Sequence, residues 1–180
     1  MSIDNWLDFA RPFKEGFARV SANKKWNYID KEGKLLSDVW VDWCGDFKED
    51  FGTIMIQNRW NYIGKDDALL SPMWFDGCSD FYEGFGRVRL GLKWNFVDEQ
   101  GNFLSSDWFD ACISFNGGFA RVERNNLWNF IDKQGNFLYR EWFDSCFDFH
   151  AGFALVILNS ICYTLDAWGH LIPTTQGGKK

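Results

Sequence analysis

One spacing, 34 residues, governs this chain. Trp26, Trp60, Trp94 and Trp128 follow it, as do Trp6, Trp40, Trp74, Trp108 and Trp142, and Phe17, Phe51, Phe85, Phe119 and Phe153. A fixed period of this length means stacked supersecondary units, none of which can bury its apolar face alone. Starting each unit at the second Trp series gives five: 6–36, 40–70, 74–104, 108–138 and 142–172, joined by three-residue connectors such as SDV and SPM. Their consensus is WFDxCxxFxxGFARVxxNxxWNFIDxxGNFL. Residues 1–173 then form a single domain and 174–180, TTQGGKK, a flexible tail, with no stretch left for a separate catalytic domain.

The same period occurs in tetratricopeptide helix pairs. Here each unit carries Gly in its middle and again near its end, as at Gly118 and Gly135. Apolar residues do not recur at i, i+3, i+4 and i+7, and Phe, Val, Ile, Trp and Tyr dominate. Those features indicate strands. GFARV is expected as one strand and WNYI as its antiparallel hairpin partner, with a polar turn such as SANKK between them. DKEG or DEQG turns the chain again, and KLL or NFL starts a third strand. WFDxCxxFxxG reads as a fourth strand or as an extended stretch that turns at Gly84, Gly118 and Gly152.

The fold class is therefore all-β. A closed five-bladed β-propeller-like ring is favoured over an open stack or solenoid of β-hairpins. The ground is the last unit, GFALVILNSICYTL, which has Leu155 where other units have Arg19, Arg87 or Arg121. An open stack should end in a polar cap, so so apolar a terminal unit is expected to be covered by the first unit, a partner or a second copy.

Aromatics supply 19% of the residues, including 11 Trp and 19 Phe, and the net charge is −6. An acidic surface repels phosphate backbones, so nucleic acid is not an expected partner. No uninterrupted apolar stretch is long enough to cross a membrane as a helix. The opening MSIDNWLDFARPF lacks a basic region followed by an apolar run, so no secretory signal is read. Cys44, Cys78, Cys112 and Cys146 share one repeat position, a pattern of small buried residues and not of a metal site. Free thiols place the chain in the cytoplasm.

The run K-W-(G/N)-(F/Y)-I-D-x-x-G, followed by an aromatic-Asp pair and F-x-x-G-(L/F)-A-x-V, resembles the bacterial WG (Trp-Gly) repeats. Lys25-Trp26, Tyr28-Ile29-Asp30 and Gly33 match its first half. Phe109-Asp110, Phe115, Gly118-Phe119-Ala120 and Val122 match its second. The resemblance spans all five units and implies a β-rich scaffold of interaction modules. The Gly that follows Trp in that family is Asn here, at Asn27, Asn61, Asn95 and Asn129. Gly at such a place marks positive φ or close backbone approach, and Asn enters the left-handed region more readily than other residues. The four Asn are thus expected at bulges or at φ > 0, the competing account being that their amides bond between neighbouring units.

No catalytic constellation stands out. Neither of the two histidines, His150 and His170, recurs in the units or lies near a Ser or Cys motif, and no cofactor or metal motif appears. Asp8, Asp42, Asp76, Asp110 and Asp144 recur, which suits a turn or cap better than one unique active site. Two binding readings remain. As a non-enzymatic scaffold, an accessory or inhibitory subunit, the chain would meet a protein partner where its units differ. Those places are Trp43, Met73, Tyr82 and a basic group of Arg87, Arg89 and Arg124. As a lectin-like protein, it would bind glycan with a site per repeat at Trp26, Asn27, Trp60, Asn61, Trp94, Asn95, Trp128 and Asn129.

Overall fold

Two-residue turns with positive φ at both positions decide where this chain folds back. Asn23-Lys24, Gln57-Asn58, Asn125-Asn126 and Asn159-Ser160 all have φ between 49° and 65°. That is the type I′ geometry, whose twist matches that of paired strands. A second set, Glu15-Gly16, Glu49-Asp50, Glu83-Gly84, Gly117-Gly118 and Ala151-Gly152, has φ from 48° to 94°. The polar residues between apolar runs thus fix two reversals per unit, and with them the strand register.

The computed structural model describes residues 7–174; Trp6 and tail residues 175–180 lie outside the described residues. Five small antiparallel sheets result. The first is β1 Phe9–Ala10, β2 Ala18–Ala22 and β3 Lys25–Ile29; the second is β4 Trp43–Cys44, β5 Phe51–Ile56 and β6 Arg59–Gly64. The third is β7 Gly77–Cys78, β8 Phe85–Leu90 and β9 Lys93–Asp98; the fourth is β10 Ala111–Asn116, β11 Phe119–Arg124 and β12 Leu127–Asp132. The fifth has β13 Ser145–Cys146, β14 Phe153–Leu158, β15 Ile161–Asp166 and β16 Leu171–Pro173. The fold is all-β, each sheet having its strands in sequence order, and no helix occurs among the described residues. Residues up to Gly91, with Phe96–Phe103, make one compact unit; Leu92–Asn95, with those from Leu104 on, make another.

The strand expected at KLL or NFL is cut to a single bridge in four units, such as Ile29 with Leu35 and Ile131 with Phe137, and is a full strand only as β16. The uncertain WFDxC segment supplies the edge strand instead. After Leu36 donates its N–H to the Tyr28 carbonyl at 2.9 Å, the chain leaves the sheet, then returns to pair Val41 with Trp26. Trp60 with Phe75, Trp94 with Phe109 and Trp128 with Phe143 repeat this stitch. The start of every later unit is thereby bonded to the sheet before it.

Three aromatics make the joint between consecutive sheets. Phe17 stacks on Phe47 at 4.9 Å, Phe51 on Phe81 at 4.6 Å and Phe119 on Phe149 at 4.7 Å. Tyr28, Tyr62 and Phe130 meet the same acceptor rings edge-on at 4.8–4.9 Å, the favoured geometry for opposed ring quadrupoles. The Tyr hydroxyls reach further. Tyr28 Oη lies 2.7 Å from the Gly45 carbonyl, and Tyr62 Oη 2.7 Å from that of Ser79. Each hydroxyl takes the space of a missing Cβ: one built on Gly52 would sit 2.5 Å from Tyr28 Oη, and one on Gly86 2.5 Å from Tyr62 Oη. Where the joint has Phe130 instead, the facing residue is Ala154, packed in the same cluster. Tyr with Gly and Phe with Ala are two solutions to one volume constraint.

Charges repeat with the joint. Asp42 bonds Lys25 Nζ and accepts the Gln57 N–H at 2.6 Å; Asp110 bonds Lys93 and accepts the Asn125 N–H at 2.8 Å. The recurring carboxylate therefore caps its own hairpin turn and ties it to the preceding sheet. Glu15 fills the next unit's first turn, accepting the N–H groups of Glu49 at 2.8 Å and Asp50 at 2.9 Å, and Glu49 does the same for Glu83 and Gly84. In the fifth sheet Leu155, Ile161 and Trp168 are at the surface.

Gly86→Ala should cost about 1–3 kcal/mol by overpacking against the Tyr62 hydroxyl. Adding Tyr62→Phe should recover only part of it, because the Tyr62 ring and the Phe81 ring each lie 2.7 Å from the added Cβ. The recovery is read as a coupling energy from urea denaturation of both single variants and the double. The Lys25 and Lys93 contacts hold the Asp42 and Asp110 carboxyls below the usual carboxylate range. Their stabilisation should be complete above the unfolded value of about 4 and be lost as pH falls through the lower folded values. Carboxyl NMR titration should place both midpoints below that of an unperturbed aspartate.

Candidate interaction surface

The Trp-Asn pair divides its work between surface and interior. Asn27, Asn61, Asn95 and Asn129 are 0–2% exposed, while their Trp neighbours are half-buried. The expectation of bulges or positive φ is wrong. None of the four Asn has positive φ, and Asn27, Asn61 and Asn129 sit in unbroken register opposite Val20, Ile54 and Val122. The reason lies in the amide. Asn61 Nδ2 donates to the Ser71 carbonyl at 2.8 Å and the Met73 carbonyl at 3.3 Å, and its Oδ1 accepts the Tyr62 N–H at 2.8 Å. Asn27 and Asn129 repeat all three bonds, and Asn95 both amide donations. These amides hold the three-residue connectors that carry the chain to the next unit, satisfying backbone groups outside any ladder.

What the interior leaves outside is a run of rings and guanidiniums on the first two sheets. Arg11 lies over Phe9 at 4.7 Å, and Phe9 meets Trp26 edge-on at 6.4 Å. Arg19 sits 5.8 Å from the Trp26 ring and 6.0 Å from that of Trp43, and Trp43 meets Trp60 at 5.1 Å. Strand pairing puts these groups together: Phe9 pairs with Ser21, which pairs with Trp26, and Trp43 with Met55, which pairs with Trp60. Arg19 is held by the Cys44 carbonyl at 2.8 Å and by the Asp46 carboxylate 2.6 Å from its Nε. A guanidinium fixed in this way stays in place over the rings on both sides. Phe9 and Trp43 are exposed.

The other non-repeated residues lie apart. Met73 is exposed in a connector. Tyr82 is exposed with Lys48 Nζ 3.0 Å from its ring centre. Arg87 and Arg89 share one face of β8; Arg87 Nε donates to Ser79 Oγ at 3.1 Å, and Arg89 donates to the carbonyls of Gly91 and Asp76 at 2.7 and 2.8 Å. Arg124, in the other compact unit, pairs with Asp107 at 2.8 Å and lies over Phe109, Phe137 and Trp142 at 5.1–6.0 Å. Sequence reasoning missed Phe9, Arg11 and Arg19. Their signal was the alternation of β2, which puts Arg19 on the face opposite Val20.

Burial pushes the thiols of Cys44, Cys78 and Cys146 up to about 12, so they are poor nucleophiles near neutrality. Among the described residues no three His, Cys, Asp or Glu side chains converge as a metal set, and no helix is long and apolar enough to cross a membrane.

A family model, the WG containing repeat, matches residues 7–26, 62–94 and 96–128. No curated protein matches the sequence. Among solved structures, a eukaryotic initiation factor is similar over 95% of this chain and 55% of its own, at 12% identity and a TM-score of 0.53. Hsv2p of Kluyveromyces lactis is similar over 93% and 62%, at 11% identity and a TM-score of 0.47. The chain spans about three-fifths of the Hsv2 structures it matches. At such identities the likeness is one of fold.

Replacing Asn61 by Ala strands two carbonyls and one N–H. It should cost on the order of 2–3 kcal/mol, seen as a lower urea midpoint at unchanged slope.

Proposed function

We propose that this chain, a member of the WG β-repeat family, is a non-enzymatic scaffold that binds another protein as an accessory or inhibitory subunit. The observation that carries this reading is the Phe9–Trp26–Arg19–Trp43–Trp60 run, which offers exposed ring faces beside fixed guanidinium groups. Trp and Arg are the residues that most often dominate binding energy at protein interfaces. Rings already packed against one another lose little side-chain freedom when a partner covers them. Trp43 is the centre of the run, and no other unit has Trp at its position.

A carbohydrate reading would draw on the same half-exposed Trp faces. The Asn amides that would complete such a site are already spent on connector carbonyls. Protein recognition asks nothing of them.

Trp43→Ser tests the proposal, because Ser145 fills that position in the fifth unit and the fold accepts it. Affinity capture from the native host should return one stoichiometric protein with the wild-type chain, and at least tenfold less with the variant. Failure of the wild type to capture any specific protein, or equal capture by the variant, would count against it.

A further inference from the structure

Two of the five units carry a Phe pair that unit 40–70 lacks, and a cleft stands in its place there. In units 74–104 and 108–138 a buried Phe at the second position meets a Phe near the end: Phe75 with Phe103 at 6.3 Å and 84°, Phe109 with Phe137 at 6.2 Å and 87°. Unit 40–70 has Val41 and Leu69 there. The result is an apolar cleft of about 300 Å³ lined by Val39, Val41, Ile56, Leu69 and Trp74, with Asp67 at its edge. A dry cavity of about 150 Å³ already admits benzene, so a phenyl group fits.

The fourth sheet shows what chemistry this place accepts. There the Phe109 and Phe137 rings are joined by the Arg124 guanidinium, 5.4 and 6.0 Å from them and 5.1 Å from Trp142, and Asp107 neutralises it. Unit 40–70 has Ile56 where that arginine stands and Val39 where Asp107 stands. Trp74, the counterpart of Trp142, is left as a wall of the cleft. The ring is therefore absent from this place, while the guanidinium belongs to the fourth unit alone, Ala22, Ile56, Leu90 and Leu158 standing at its position elsewhere. Carboxylates remain beside it. Asp67 occupies the position of Gly101 and Gly135 with φ of 66°, and an adjoining hollow that shares Leu69 is lined by Asp50, Asp66 and Glu99 together with Lys65, which the Glu15 and Asp50 carboxylates already pair.

We propose that this cleft binds one aromatic side chain of a partner protein, next to a Lys or Arg of the same partner that pairs with the Asp67 edge. The cleft takes the ring that Phe103 and Phe137 supply in units 74–104 and 108–138, and the acidic edge takes a cation such as Arg124 supplies in the fourth unit. This rests on the protein-binding reading above and adds the chemistry of the partner's contact.

The test uses 2-phenylethylammonium as a cationic phenyl probe and 3-phenylpropionate as its anionic counterpart, followed by NMR of the methyl groups of Val39, Val41, Ile56 and Leu69. The cation should shift these methyls with a dissociation constant on the order of 1 mM, and the anion should bind at least fivefold more weakly. Val41→Phe/Leu69→Phe, which installs the pair found in units 74–104 and 108–138, should abolish the shifts while melting no lower than wild type. Asp67→Asn, exposed and outside the core, should remove the preference for the cation. No shift by the cation, equal binding of both probes, or full binding by the filled variant would overturn the proposal. The titration needs no partner, so it separates the two claims. Probe binding without any protein capture sinks the scaffold reading alone, and capture that the filled variant leaves intact sinks the cleft alone.

Discussion

Everything in this molecule depends on a volume constraint at the joint between consecutive sheets. A three-stranded sheet of this size has no interior, so its stability comes from the sheet beside it. Phe47, Phe81 and Phe149 each receive one ring face-on and one edge-on from the preceding unit. The space left over is small enough that a hydroxyl and a Cβ cannot share it, which is why Gly52 and Gly86 face tyrosines and Ala154 faces a phenylalanine. Connectors of only three residues follow from the same closeness, and the Asn amides hold those connectors once the ladder has ended.

Much of this was legible in the sequence. The period gave the number of units, and the Asn-rich pairs between apolar runs placed the hairpins, because few residues other than Gly accept φ > 0 twice in a row. The role of Asn27 and its copies was not legible. Chemistry after Trp pointed equally to backbone conformation and to side-chain bonding, and only the path of the connector decides between them. Nor was the edge strand at Trp43–Cys44, since two residues are too few for periodicity to register. The Tyr-with-Gly correspondence was present in the letters all along, at positions 28 and 52 and at 62 and 86, but it becomes visible only when the structure shows which residue of one unit faces which residue of the next.

The surface divides along the same line. Copied residues are spent: Asp42 and Asp110 on turns and lysines, Asn on connectors, buried thiols on packing. The departures add ring surface outside or leave room inside it. Trp43 extends a ring surface that Arg19 ties together, and Val41 with Leu69 opens a cleft where units 74–104 and 108–138 carry a Phe pair. A repeat protein evolves a site most cheaply by altering one copy, since each unit contacts only its neighbours and the others keep the scaffold intact.

The central claim is that binding belongs to the altered copies and stability to the shared positions. Hydrogen exchange of the chain with and without its captured partner tests it directly. The account predicts new protection in β1, in β4 and in the segments 37–41 and 67–74, with little change in the fifth sheet. Protection confined to the fifth sheet, or spread equally over all five units, would contradict it.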